Sequence, residues 1–541
     1  MSSEEVLIQT RKDKHQEANG GTYPLASDPS VLPFIRHRTI GIAVNDMAAM
    51  QSVGALQTTI DPQQLDADPK YMVAGRITAF RKSGAITFIK LADSTGAVQV
   101  IVSKAAYQDY DSIKLFDLGD IIEVGGRTCL SKTGEKSLLA FSLRLLTKSH
   151  RPPPEKFNGI ADQELKYRKR YLDLMSNEES RARFTVRTYI LRAIRQFMEG
   201  RNFLEVETST LNTIASGANA KPFTTHHNAL DIPLRLRIAP ELYLKRLLVG
   251  GLDRVYEIGR NYRNEGIDTR HNPEFTMMES YQAYGNFPDL ITFTKCLLRD
   301  VREYCRKNLP ANIQPIFDQW DKECPFSLSQ CVETPMWDAV IHACSKAEIM
   351  MHPSIHPLIG PAEEVTNIEI TNLNNERLQK IDVKSLFHQL DNCPTNGDKI
   401  YAMFEHVVEP FLTEDYRSGD GKHSCPVFIT QYPKSVSPLA RAHDRAPTLC
   451  ERFELFIEGR ELANAFQELN DPDEQARRFI DQLDDHPNDA ADFDHDYVEA
   501  LEYGMPPAIG FGMGIDRLVM LMTNTSSIKD VILFPTLKPL K

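Results

Sequence analysis

A chain of 541 residues that is 42% hydrophobic and 25% charged has room for three or four domains and is too apolar for wholesale disorder. No window reaches 18 consecutive apolar residues, so no transmembrane helix is expected, and a net charge of −12 speaks against a general nucleic-acid coat protein, which would be basic. The first ten residues, MSSEEVLIQT, carry two glutamates and no apolar run, and the nine cysteines are scattered without a CxxC. The expectation is a reduced, cytoplasmic protein with no secretory signal, disulfide framework or structural zinc.

Residues 1–65 are weakly patterned, with Gly20-Gly21 and several prolines, and read as a partly ordered extension with one short helix around 46–55. From Tyr71 the pattern changes to YMVAGRITAF, AITFIKLAD, AVQVIVS, DIIEVGGRTCL and SLLAFSLRLL, separated by SG, STG, LGD and KTGE turns. Five β-rich runs with a helix placed in 100–119, between the third and fourth, fit an OB-fold β-barrel over 66–150; a small β-sandwich is the alternative. This segment is locally basic, 12 Lys/Arg against 9 Asp/Glu. HRPPPEK opens a stiff linker, 151–178, because consecutive prolines favour polyproline II. An amphipathic helix ending at Gly200 follows, then the strand NFLEVET, and 179–541 reads as one α+β domain. In it, strand-like LRLRIAP, RVYEIGRNYRNEG and PEFTMMESYQAY alternate with helices at 241–249 and 289–307. Residues 308–425 are Pro-, Asn- and Gly-broken and read as an insertion, with 350–362 and 414–425 as loops.

Three stretches carry chemistry. In RVYEIGRNYRNEG, Arg263 and Glu265 stand two apart at a strand end and point the same way; an arginine fork binds carboxylate or phosphate, although a lone RxE is commonly a surface ion pair. In ERFELFIEGRELANAFQEL, a bend at Glu458-Gly459 would suit a hairpin that brings Glu454 and Glu461 together, and two neighbouring carboxylates call for a cation such as magnesium with a polyphosphate. In GFGMGIDRL, glycines 510, 512 and 514 permit close backbone approach and Arg517 opens an apolar helix; no βαβ unit surrounds the string, so a Rossmann reading fails.

In this order the three resemble motifs 2 and 3 of the class II aminoacyl-tRNA synthetases, with the long helix plus NFLEVET as motif 1. The longer strings RYLDLMSNEESRARF, AKPFTTHHNALDIPLRLRIAPELYLKRLLVGG, RNEGIDTRHNPEFTMMESYQAY, ELANAFQELND and GFGMGIDRLVM resemble the class II lysyl-tRNA synthetases from about Tyr71 to Pro535. The resemblance implies a six-stranded antiparallel catalytic sheet flanked by helices, an N-terminal OB-fold for the anticodon, ATP and Mg2+, and a homodimer with L-lysine and tRNA(Lys) as partners. It implies that Arg263 and Arg517 are the catalytic arginines and that Glu454 and Glu461 hold magnesium. ATP would meet Arg263, Glu265, His271, Asn272, Phe275 and Arg517. Lysine would meet Gly217, Glu241, Arg263, Glu279, Tyr281, Asn464, Phe466 and Glu468. The anticodon would meet Arg76, Phe88, Gln99 and Glu135, with Arg81 and Lys82 on phosphates. Two departures stand out: Ser209 occupies the usual motif 1 proline, and Ser216-Gly217-Ala218 replaces GGA. An aspartate- or asparagine-specific enzyme is opposed by carboxylates where cations would be needed. A protein-lysylating relative would lack the barrel, and a non-catalytic relative would have lost some of Arg263, Glu454, Glu461 and Arg517.

Overall fold

In the computed structural model the chain divides into two units, Met1–Lys166 with Tyr171–Asn177, and Tyr167–Arg170 with Glu178–Lys541. The structure describes residues 3–19, 39–52, 70–154, 160, 162–214, 217, 220–324, 326–328, 330–351, 368–370, 372, 375–485 and 493–540. Gly20-Gly21, Ser216, Ala218 and part of the expected loop at 350–362 lie outside them.

In the first unit, β1 (Lys70–Ser83), β2 (Ile86–Ala92), β3 (Ala97–Ser103), β4 (Ile121–Leu130) and β5 (Lys136–Thr147) close into a barrel in the order β1-β2-β3-β5-β4. Closure decides against the sandwich: β1 pairs with both β2 and β4, and a parallel β3–β5 pairing completes the ring. The segment between β3 and β4 holds only a short 3-10 helix, Tyr110–Leu115. Thr87, Ile89 and Leu91 point inward along β2, as the period of two requires. The extension is more ordered than its composition foretold. The helix Ile40–Ser52 buries Ile40, Ala43 and Met47 in the barrel core, and a second helix, Ser3–Asn19, is tied down by Arg11, whose guanidinium donates to the Leu118 and Ser149 carbonyls at 2.9 and 2.8 Å.

The second unit is built on a sheet of β6 (Leu204–Glu205), β7 (Arg254–Tyr262), β8 (Glu274–Ala283), β9 (Val332–Pro335), β10 (Val427–Pro433), β11 (Ala446–Ile457), β12 (Arg460–Gln467) and β13 (Ala508–Gly514), ordered β9-β10-β11-β12-β13-β8-β7-β6. The six strands from β10 to β7 are mutually antiparallel, the arrangement the resemblance implied; β6 and β9 extend the edges in parallel. NFLEVET contributes only two paired residues. One face is covered by the helices Glu178–Glu199 and Phe287–Asn308, whose Val186, Ile190, Ile194, Leu297 and Val301 meet Phe453, Leu455, Phe511 and Met513 of the sheet. The region expected as a broken insertion contains the helices Met336–Ala347, Val383–Asn392 and Asn396–Met403, which form a core of their own against Ile429 and Phe456.

Candidate active site

β11 and β12 form a hairpin whose turn residues, Glu458 and Gly459, have φ of 53° and 63°. Two consecutive positive φ values mark the two-residue turn that matches the twist of its strands. Phe456 therefore faces Glu461, and since Glu454 is two residues before Phe456, Glu454 and Glu461 share a face. A bulge just beyond, at Leu455/Phe456, brings Asn464 opposite Glu454, so Glu461 and Asn464 reach the same side although three apart.

That side is one wall of a cavity of about 910 Å³. It is lined by Gly217, Glu241, Arg263, Glu265, His271, Asn272, Phe275, Glu279, Tyr281, Glu454, Glu461, Asn464, Phe466 and Arg517. Of the candidates in this unit only Glu468 is set back. It is fully buried one layer behind the wall, and a Cβ on Gly510, which does line the cavity, would overlap its carboxylate. Of the three glycines in GFGMG, only Gly510 is demanded in this way; a Cβ at Gly512 or Gly514 would meet nothing closer than 3.5 Å.

The two ends of the cavity differ in charge. At one end, Glu241, Glu279 and Glu468 are buried. The Tyr281 hydroxyl donates to Glu279 Oε2 at 3.0 Å. Burial, joined by the Glu241 carboxylate, pushes the Glu279 carboxyl up to about 8 against the pull of Tyr281 and Arg263. Burial likewise pushes Glu468 well above the usual carboxylate range, although Lys245 opposes it. Glu468 Oε1 has no hydrogen-bond partner. Gly217, with φ of 92°, comes within reach of Glu241.

At the other end, the Arg263 guanidinium lies 5.2 Å from the centre of the Phe275 ring. Arg517 Nη1 donates to the Glu461 carbonyl at 2.6 Å, and Nη2 lies 3.5 Å from His271 Nε2. His271 is held from behind by Asp268, 2.8 Å from Nδ1, whose other oxygen accepts the Arg270 and His271 amides at 2.6 Å each. Despite some burial, those donors hold the Asp268 carboxyl at about 2. Asn272 is tied to backbone on both sides: its amide donates to the Glu274 carbonyl at 2.6 Å and its oxygen accepts from Thr536 N at 3.2 Å. Glu454 accepts from Arg452 at 2.6 Å and from the Tyr432 hydroxyl at 2.8 Å. Burial pushes its carboxyl up to about 7 against Arg452, and the Glu461 and Glu409 carboxylates add to the rise.

Several supporting residues escaped sequence reading. Arg452 also reaches Asn464 Oδ1 at 3.1 Å, so one guanidinium orients two candidates. Arg187, from the Glu178–Glu199 helix, bonds Asp516 at 2.5 Å and Thr276 Oγ1 at 3.0 Å, fixing the neighbours of Arg517 and Phe275. Gln389, Asp398 and Tyr401 of the inserted helices line the cavity. Lys245 stands four residues after Glu241, a spacing that ordinarily reads as an exposed helix ion pair, yet it is fully buried.

In the barrel, Phe88 faces outward, half-buried beside Ile101 and Leu139, with the Arg81 guanidinium 5.6 Å from its ring centre. Gln99 shares that face, donating to Ser137 Oγ at 2.9 Å, and Ser137 in turn donates to the carbonyl of the exposed Glu135 at 3.0 Å. Phe88, Gln99 and Glu135 are thus brought together. Arg76 is apart from them, opposite Ala92, with its guanidinium turned onto the Gly119 carbonyl at 2.8 Å.

All nine cysteines are free thiols. Among the described residues no helix is long and apolar enough to cross a membrane, and no three His, Cys, Asp or Glu side chains gather as a metal cage.

Residues 71–146 match the family of OB-fold nucleic acid binding domains, and residues 162–538 match the family tRNA synthetases class II (D, K and N). The chain is 45% identical over 476 residues to the lysine–tRNA ligase of Enterobacter sp. (strain 638), covering 87% of this chain and 86% of that protein. To the lysine–tRNA ligase of Legionella pneumophila (strain Corby) it is 45% identical over 477 residues, covering 87% and 88%. To that of Laribacter hongkongensis (strain HLHK9) it is 43% identical over 551 aligned positions, covering 100% of both chains. With both halves matched in order and relatives this similar along most or all of the sequence, the chain belongs to the class II tRNA synthetases of the D, K and N group, in the lysine–tRNA ligase family.

Proposed function

We infer that the chain is an ATP-dependent lysine–tRNA ligase: it joins L-lysine to ATP as lysyl-adenylate, releasing pyrophosphate, and passes the lysyl group to the 3′ end of tRNA(Lys), releasing AMP. The observation that carries the choice of lysine is the buried group of Glu241, Glu279 and Glu468 at one end of the cavity. Buried carboxylates that outnumber their resident cation, Lys245, call for further cations, and an amino acid with two ammonium groups supplies them.

The substrate carboxylate is ionised at neutral pH, so its attack on the α-phosphate needs no general base, and the work is positioning and charge neutralisation. In this reading Arg263 bridges the lysine carboxylate and the α-phosphate, stacked beside Phe275, on which the adenine ring rests. Asn272 and Glu265 border the same nucleotide, and Arg517, with His271 beside it, holds the far end of the triphosphate. Gly217 and Glu241 receive the α-ammonium; Glu279 and Tyr281 receive the ε-ammonium, with the charge of Glu468 set behind them and Asn464 and Phe466 closing the pocket. Glu454 and Glu461 suit a magnesium ion. Two carboxylates are the usual protein share for Mg2+ that completes its shell with phosphate and water. The burial and, after it, the neighbouring carboxylates that lift Glu454 are what a cation would offset. Bound there, magnesium would neutralise triphosphate charge.

On the barrel, Phe88 would stack an unpaired anticodon base and Gln99 and Glu135 would read its edge, with Arg81, Lys82 and Arg76 on the phosphates. A homodimer and a cytoplasmic place follow from the family reading. ATP–pyrophosphate exchange with each of the twenty amino acids tests the assignment: lysine alone should support strong exchange, and exchange with aspartate but not lysine would overturn it.

A further inference from the structure

Lys245 lies one turn after Glu241 on the helix Glu241–Val249 and has no exposed surface. An ammonium taken fully out of water is tolerated only with compensating charge. Its Nζ is 2.6 Å from Glu241 Oε1 and in a short ion pair with Glu468 Oε2. The ring centres of Phe466 and Tyr281 lie 5.4 and 5.9 Å away. All four of these residues are ones assigned above to the lysine pocket, so Lys245 touches the pocket's walls from behind.

The other charged and titratable groups around it, among the described residues, are accounted for. On its own helix, Arg246 is turned to Asp494 and Asp496. On β7, Glu257 is paired with Arg237 at 2.5 Å. On β8, Glu279 takes the Tyr281 hydroxyl. From the helix His495–Glu502, Tyr497 packs in with its hydroxyl unpartnered. What remains is three carboxylates, Glu241, Glu279 and Glu468, against one resident ammonium, with Arg263 at the cavity side.

We propose that Lys245 is a positioning residue that sets amino-acid specificity: its ammonium fixes Glu241 and Glu468 and, with all three carboxyls ionised in the lysine-bound state, cancels one of their three charges, leaving two that a substrate with two ammonium groups balances. An amino acid with one ammonium group leaves a buried carboxylate unpaired, and such mismatches are rejected far more strongly than a missing methylene. Burial first, and neighbouring carboxylates after it, raise the carboxyls of Glu279 and Glu468, in keeping with buried negative charge that awaits those cations.

The proposal rests on the lysine assignment above, and its test separates the two. Lysine-dependent and ATP-dependent pyrophosphate exchange are measured for the full-length protein, for Lys245→Met and for the double variant Lys245→Met/Glu468→Gln, with thermal unfolding alongside. Lys245→Met should raise the KM for lysine about 10- to 100-fold, with the KM for ATP and the rate at saturating lysine changed by about twofold at most. The double variant, which strands neither charge, should regain part of the lysine KM lost by Lys245→Met. An unchanged lysine KM in Lys245→Met overturns the proposal. So does a joint loss of lysine and ATP affinity that the double variant does not relieve, since that is the mark of a purely structural ion pair. Absence of lysine-dependent exchange in the native protein would instead overturn the substrate assignment itself.

Discussion

The cavity of the second unit and the outer face of the barrel, the two places proposed to recognise substrate, are built in opposite ways. The cavity concentrates charge out of water: Glu279, Glu454 and Glu468 are buried, and their carboxyls are displaced upward by that burial and by neighbouring carboxylates. The barrel face works with half-buried Phe88 and Gln99, carried on strands whose inward neighbours make the core, and with the exposed Glu135 in the turn before β5. In the proposed reading, recognition in the cavity is bound up with electrostatic balance and should depend on pH. On the barrel, the residues proposed to read a base can change with little effect on what holds the strands together.

The largest expected effect is in the cavity. Arg263→Ala should lower the rate of pyrophosphate exchange by about 10²–10³ or more, because a guanidinium that stabilises developing charge acts chiefly in the transition state. The unfolding temperature should stay near the native value; near-native exchange would remove Arg263 from the chemistry. Next, Glu279→Gln should weaken lysine by about 2–5 kcal/mol while leaving the KM for ATP nearly unchanged, since it strips one charge from a desolvated ion pair. Equal loss of both affinities would dissolve the distinction between the two ends of the cavity.

The pH dependence sharpens the contrast. With its carboxyl near 8, Glu279 is protonated at neutral pH before lysine binds, and an ammonium pairs only with the ionised form. The KM for lysine should therefore fall as pH rises toward 8, by up to about tenfold per unit, and level off above. Glu279→Gln should flatten that profile. A lysine KM in the native protein that is constant from pH 6 to 9 would show that the carboxylate is already ionised.

The smallest effect belongs to the barrel. Phe88→Ala should cost about 1–3 kcal/mol of tRNA binding, roughly 5- to 150-fold, and leave pyrophosphate exchange unchanged. Its effect on barrel stability should be about 1 kcal/mol at most, against about 2–5 kcal/mol for its inward neighbour Ile89→Ala. If the two substitutions destabilised the barrel equally, the division between reading face and core would fail.

Much of this was legible in the sequence where a local rule carries it. Alternation and Gly-containing turns marked the five barrel strands, and the Glu458-Gly459 bend predicted the β11–β12 hairpin. Most of the cavity wall came from the family strings. The inserted helices were missed because they are short, 12, 10 and 8 residues, and Pro, Asn and Gly clusters lie between them. Yet two start signals were present: Asp382, which caps the Ser385 amide at 3.1 Å, and Thr395, which forms a capping box with Asp398. The helix Ser3–Asn19 was missed because it carries a weak apolar stripe and is held by Arg11 and Lys14 at sites far along the chain. Lys245, Arg452 and Arg187 were beyond reach for a similar reason: an arginine or lysine buried by partners remote in sequence looks like any solvated cation. Phe88 shows the same limit, since alternation alone could not say which of its two faces the barrel would enclose.

The turn at Glu458-Gly459 and the bulge beyond it work as a ruler. Both turn residues need positive φ, and the strand pairing on either side is counted from them. Adding or removing one residue between Glu454 and Glu461 would exchange a carboxylate for an apolar neighbour at the cavity wall, even with every side chain retained. This stretch should accordingly tolerate conservative single substitutions at the buried Leu455, Phe456 and Ile457 far better than it tolerates any insertion or deletion. A library that varies length as well as identity there would expose that asymmetry.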